Sequence, residues 1–176
     1  MKTNWKIDTL HSQIGFKVKH MMITNVKGTF DQFDASLEAE DNDFTKAEFA
    51  FNANADSINT GVADRDAHLK SQDFFNAAAY PHLSFKSTGV KKISEEEYEI
   101  HGDITIRDVT KPIILSADFG GVVVDPYGQT KTGFSIDGKI KRSEFGLTWS
   151  AITEAGSIVV SDEVKLNCEI QFVKQN

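Results

Sequence analysis

Apolar and polar side chains alternate along most of this chain, with the period of two expected of a strand that has one wet face. Ile14, Phe16 and Val18 share one parity, and Lys17 and Lys19 take the other. Phe33, Ala35 and Leu37 repeat the pattern, as do Ala47, Phe49, Phe51, Ala53 and Ala55. Leu83 and Phe85 follow Pro81, and Tyr98, Ile100, Ile104 and Ile106 come next. Ile113, Leu115, Ala117 and Phe119 lead to Phe134, Ile136 and Ile140. Val164, Leu166, Cys168, Ile170 and Phe172 close the chain. Together these stretches predict about eight or nine half-buried antiparallel strands, dry on one face.

Turn-forming residues punctuate the pattern at Asp41-Asn42-Asp43, Ser94-Glu95-Glu96-Glu97, Asp125-Pro126-Tyr127-Gly128 and Glu154-Ala155-Gly156-Ser157. A helix is expected only from Gly61 to Ser71, with a further helical turn through Gln72-Asp73-Phe74-Phe75-Asn76. No repeat, linker or low-complexity tract divides residues 1–176, so one all-β domain is expected.

With one apolar face per strand and little helix to cover it, the sheet must pack as a sandwich or roll into a barrel. Periodicity does not separate the two. Parity does name the residues that face inward. Among them Ile14, Phe16, Val18, Phe49, Phe51, Phe85, Ile100, Ile104, Phe134, Ile136 and Ile140 form the expected lining. Gly102 and Gly138 share that parity, where a packed core would want side chains. They mark either space left for a ligand or a bend in the sheet.

A net charge of -7 argues against bulk affinity for nucleic acid or an anionic membrane, although a local basic strip is compatible with it. Cys168 is the one cysteine, so no disulfide framework can form within the chain. Neither a leader-like segment nor a run of about 20 apolar residues is present, which sets the expectation of a cytoplasmic protein without a membrane span. A chain trimmed of a leader would read the same and would be periplasmic.

Nothing in the sequence spells a catalytic or metal site. His11, His20, His68, His82 and His101 fall at no zinc spacing. Ser12 lacks a nucleophile elbow, and Gly120-Gly121 precedes no helix that could cradle phosphate. No cofactor is expected. Three charged residues nevertheless share apolar faces. His20 follows the parity of Val18, Arg142 follows that of Ile140, and Asp66 sits between Val62 and Leu69 on the short helix. Buried charges need partners. Asp66 with Arg65 therefore reads as a structural pair that docks the helix, whereas His20 and Arg142 are candidates to meet an anionic headgroup at a mouth.

These residues also carry a family likeness. Trp5-Lys6-Ile7-Asp8 with His11-Ser12, Phe16-Lys17-Val18-Lys19-His20 and Val26-Lys27-Gly28-Thr29-Phe30 match in order. So do Arg65-Asp66-Ala67-His68-Leu69, Asp73-Phe74-Phe75, Tyr80-Pro81, Gly102 to Arg107, Val109-Thr110-Lys111-Pro112, Arg142 and Phe145-Gly146. Over nearly its whole length the chain resembles the YceI-like family of bacterial polyisoprenoid-binding proteins. Asp108 stands where that family more often has glycine. The resemblance implies a single lipocalin-like antiparallel barrel of about eight strands. It further implies a partner that is a long-chain isoprenoid or other amphiphilic lipid, no catalytic residues, and a possible homodimer. Non-catalytic binding, storage or transport of a polyisoprenoid or isoprenoid-quinone precursor is the expectation. The rivals are an enzyme acting on such a lipid and a solid-core interaction module.

Overall fold

The computed structural model describes residues 1–149 and 160–176. The expected turn at Glu154-Ala155-Gly156-Ser157 lies outside them. Among the described residues eleven strands form one sheet: β1 Lys2–Ile7, β2 Gln13–His20, β3 Thr24–Phe30, β4 Phe33–Glu40, β5 Asp43–Asn54, β6 Ile58–Asn59, β7 His82–Lys92, β8 Glu97–Ile106, β9 Val109–Val124, β10 Thr130–Lys141 and β11 Val160–Lys174. Among the described residues the one α-helix, α1, spans Ala63–Lys70, inside the expected Gly61–Ser71.

The pairings make a meander in which three of the long strands are broken. Along one edge of β11, β1 pairs near Phe172 while β2 pairs from Glu169 to Val164 and again at Val160. β1 and β2 are thus successive halves of one strand, interrupted at Asp8–Ser12. β3 and β4 break likewise against β2 and β1, and β5 and β6 against β4 and β3. The β1–β11 pairing closes the sheet, so the barrel alternative holds and the sandwich does not. Closure leaves the sheet without a long open edge at its ends, β1 and β11.

All the pairings are antiparallel, so the loops fall at two ends. One end holds the β4–β5, β7–β8 and β9–β10 turns. In the last of these, Asp125 Oδ1 accepts from the backbone N–H of Tyr127 and Gln129, both at 2.9 Å. That end of the interior is filled by aromatic rings. Phe44 lies 5.8 Å from Trp5, 5.2 Å from Phe119 and 5.5 Å from Phe134, and Tyr98 stands edge-on to Phe119 at 5.6 Å. The opposite end holds the β2–β3 and β8–β9 turns, α1, and residues 142–149 after β10. Among the described residues, the unfilled part of the interior lies toward that end.

Candidate functional site

A cavity of about 200 Å³ lies inside the barrel, between the aromatic plug and a lid at the open end. Ile14, Phe16, Val18, Phe49, Phe51, Phe85, Ile100, Ile104, Ile136 and Ile140 line it, as their parity requires. Among the described residues Arg142 is the one charged residue on its wall. Because strands alternate, each lining side chain comes from a residue whose neighbours face water, and the wall is dry by construction.

Three expected lining residues are not there. Phe134 belongs to the plug, where it packs edge-on against Phe44 and Phe49, both at 5.5 Å. Gly102 and Gly138 leave no internal space, because neighbouring side chains already occupy it. A Cβ on Gly102 would stand 2.5 Å from the Phe85 ring and 2.5 Å from the Lys86 carbonyl oxygen. A Cβ on Gly138 would stand 2.5 Å from Leu115 Cδ2. Both glycines instead border an outer groove, with Ile113, Leu166, Lys17 and Lys139. That groove follows the wall where β9 and β10 part, since their register stops at Ser116↔Asp137.

The lid was not legible as such. Leu69 from α1 and Phe74 and Phe75 from the turn after it reach the cavity. Backbone bonds from Phe74 N–H to the Ser71 carbonyl (3.1 Å) and from Phe75 N–H to the Leu69 carbonyl (3.0 Å) fold that turn back on the helix. Phe75 meets Phe30 edge-on at 5.7 Å, and Phe74 lies 5.1 Å from His68 and 5.5 Å from Trp149. Arg107 clamps this arrangement from the β8–β9 turn. Its Nη1 donates to the carbonyls of Phe74 (3.3 Å) and Gly146 (2.8 Å), and its guanidinium lies 5.6 Å from the Tyr80 ring. Adjacent aromatics in a segment with no apolar face of its own were the one signal available for the lid. Nothing local marked Arg107.

Arg65 and Asp66 converge on Thr60 and not on each other. Arg65 Nε donates to Thr60 Oγ1 and Nη2 to the Thr60 carbonyl, each at 2.7 Å. Asp66 Oδ1 accepts from the Thr60 N–H at 2.9 Å and from its hydroxyl. The turn entering α1 is fixed in this way, and neither side chain lines the cavity.

Arg142 reaches the cavity, and its guanidinium is also bonded to backbone carbonyls. Nε donates to the Ser161 carbonyl (2.9 Å), Nη1 to those of Leu147 and Trp149 (2.7 Å each), and Nη2 to that of Val160 (3.1 Å). The guanidinium therefore ties the chain after β10 to the start of β11. Burial draws its pKa down, and the nearby Asp162 charge opposes that. His20 is half-buried at the open end, paired with Thr24 and Val160, and is not on the cavity wall. Cys168 is on the wall, and burial pushes its thiol up to about 11, so at neutral pH it is a small hydrophobe and a poor nucleophile. Among the described residues no cluster of His, Cys, Asp and Glu is arranged to hold a metal ion. Nor is any helix long and apolar enough to cross a membrane.

Comparison with known proteins converges on one family. The YceI-like domain profile matches residues 5–172. A UPF0312 protein of Staphylococcus epidermidis is 35% identical over 175 residues, 99% of each chain. The crystallised YCEI protein of Campylobacter jejuni is 35% identical, covers 90% of each chain and superposes with a TM-score of 0.77. A polyisoprenoid binding domain from Saccharophagus degradans, implicated in plant cell wall breakdown, shares the fold at a TM-score of 0.71. It is 14% identical and covers 97% of this chain and 98% of its own.

Proposed function

The chain belongs to the YceI-like family, and on that premise we propose that it binds the apolar chain of a long amphiphilic lipid, a polyisoprenoid or isoprenoid-quinone precursor, inside the barrel. The observation that carries this reading is the cavity. Its wall is aliphatic and aromatic, closed at one end by packed rings and at the other by a small lid. Empty apolar space in a fold is costly, because the wall loses dispersion contacts that packing would supply. A hydrocarbon restores those contacts and leaves water. Each buried CH2 gains about 0.8 kcal/mol, so a few isoprene units supply ample affinity.

The cavity as it stands, about 200 Å³, is below the ~300–1,000 Å³ typical of drug-sized ligand sites. A long chain therefore enters by displacing Leu69, Phe74 and Phe75, which rest on a single short helix and its following turn. The polar head stays at that open end. Storage or transport follows from reversible exchange through the same lid.

Extraction and native mass spectrometry of the purified protein test this. A co-purifying long-chain lipid is expected for the wild type and is expected to drop at least about tenfold in Ile136→Phe. Ile136 lies between Ala117 and Cys168 in register, so a ring there has small neighbours and fills the cavity. Lipid that is absent under all conditions, or unchanged in that variant, overturns the proposal.

A further inference from the structure

Four lysines stand side by side across four adjacent strands. Lys139 is opposite Lys165, Lys165 is opposite Lys17, and Lys17 is opposite Lys27. Direct cross-strand partners project from the same face, and like charges so placed repel. One step nearer the open end, Lys141 pairs with Glu163, and Lys19 pairs with Asn25. Six of the chain's 19 Lys and Arg thus gather on half of one outer face, in a protein of net charge -7. On these four strands the acids of that half are Glu163 and Asp162, and the latter already accepts from Ser143 N–H and Oγ–H at 2.9 Å; Glu99, Asp103 and Asp137 share the outer groove with Lys17, Lys139 and Lys165. Among the described residues none of the six lysines lies within ion-pair distance of a carboxylate. The other half of the same face, toward the plugged end, carries Asp137 and Glu169, and its lysine, Lys131, is already paired with Asp125 (3.2 Å) and Asp8 (3.9 Å).

The hairpin of β2 and β3 ends beyond this belt in Met21, Met22 and Ile23. They are 41%, 55% and 79% exposed. Met21 and Met22 both hold left-handed backbone, with φ of 53° and 61°. Glycine or asparagine would relieve that conformation, and water would favour a polar tip. The chain instead holds strained backbone to present three apolar side chains, at the end of the barrel where the lid opens.

We propose that this apolar tip and the lysine belt behind it dock the protein on an anionic phospholipid bilayer. The tip enters the interface, and the lysines meet phosphate headgroups, which supply the counter-charge that the ladder lacks. Apolar side chains backed by basic ones bind such surfaces by burial and charge together. Docking places the lid beside the membrane and does not depend on what fills the cavity.

Vesicle flotation of the full chain tests this, with phosphatidylcholine alone or mixed with phosphatidylglycerol. Binding is expected only to the mixed vesicles and is expected to fade in about 1 M salt, where charges are screened beyond ~3 Å. Lys17→Gln with Lys27→Gln and Lys165→Gln should weaken it at least tenfold, as each lysine contributes roughly fivefold. Met21→Asn with Met22→Gly should also weaken it at least tenfold. Both variants are expected to melt at or above the wild-type temperature, because repulsion or strain is removed. Ile136→Phe should bind vesicles as the wild type does, whether or not it carries lipid. Equal binding to the two vesicle types, no binding to either, or full binding by both variants overturns the proposal.

Discussion

The ring of Phe85 on β7 lies over Gly102 on β8, so that the glycine is the floor on which a cavity-lining aromatic rests. A methyl group at residue 102 would press on that ring and also on the Lys86 carbonyl oxygen, which is backbone and cannot rotate away. Gly138 differs, because its obstacle is the far end of Leu115, a flexible side chain. Gly102→Ala is therefore expected to cost about 1–3 kcal/mol and Gly138→Ala clearly less. Urea unfolding of the two variants measures the difference, and equal losses would show that the contact with Lys86 is not the limiting one.

Arg142 is expected to act on stability before it acts on ligand choice. Arg142→Met keeps the apolar stem but strands the carbonyls of Leu147, Trp149, Val160 and Ser161, so a loss of at least ~3 kcal/mol is expected from unmade buried hydrogen bonds. The urea midpoint reads this. Unchanged stability, together with a selective loss of affinity for a prenyl diphosphate over the prenyl alcohol, would instead give the residue the headgroup role.

Asp162 gives the same tie a dependence on acid. Burial works against its ionisation, but the hydrogen bonds from Ser143 and the Arg142 and Lys141 charges outweigh it and hold the carboxyl below its usual 3.8. A depressed pKa in the folded state stabilises above the unfolded value and loses that contribution as pH falls through the folded one. Asp162→Asn should therefore flatten part of the loss of stability below pH 3.8, without abolishing it, because Asp8, Asp43 and Asp125 are also held low. Thermal melts of the two proteins across that range test it, and identical acid limbs would contradict it.

How far the sequence reveals all this depends on the residue. Parity is a local property, so it placed Ile14, Phe16, Val18, Ile100 and Ile104 on the cavity wall without knowledge of the closure. It misplaced Phe134, because inward parity does not say at which end of a barrel a residue sits. It misread Gly102 and Gly138, because a gap at one Cα is filled from a neighbouring strand. The short strands β1 and β3 escaped notice for related reasons. β1 offers only Trp5 and Ile7 inward, and β3 carries Gly28 on its inward parity, where the ring of Phe16 lies. The four carbonyls around Arg142 and the lysine ladder are products of register, and register is set by the whole sheet.

Cys168 offers a reporter from within the cavity. Burial raises its thiol from an ordinary 9.0 to about 11, with the Asp137 and Glu169 charges adding to the rise and the Gly15 backbone opposing it. Only the thiolate reacts with iodoacetamide, so a two-unit rise lowers the reactive fraction about 100-fold at neutral pH before access is considered. The raised pKa also has a stability consequence. The contribution of the neutral thiol is complete below pH 9.0 and is lost as pH rises through about 11, when the folded state can no longer avoid the charge that the unfolded chain already carries. Cys168→Ala should therefore melt less steeply with pH across that window than the wild type. In the wild type, alkylation should rise with pH up to about 11 and should slow further when a long-chain lipid is added, since the thiol lies on the wall the chain would cover. Rapid alkylation of the native protein at neutral pH would mean that the interior is open to water, and the cavity as drawn would then be wrong. Slow alkylation that lipid leaves unchanged would keep the buried thiol but move the bound chain away from β11.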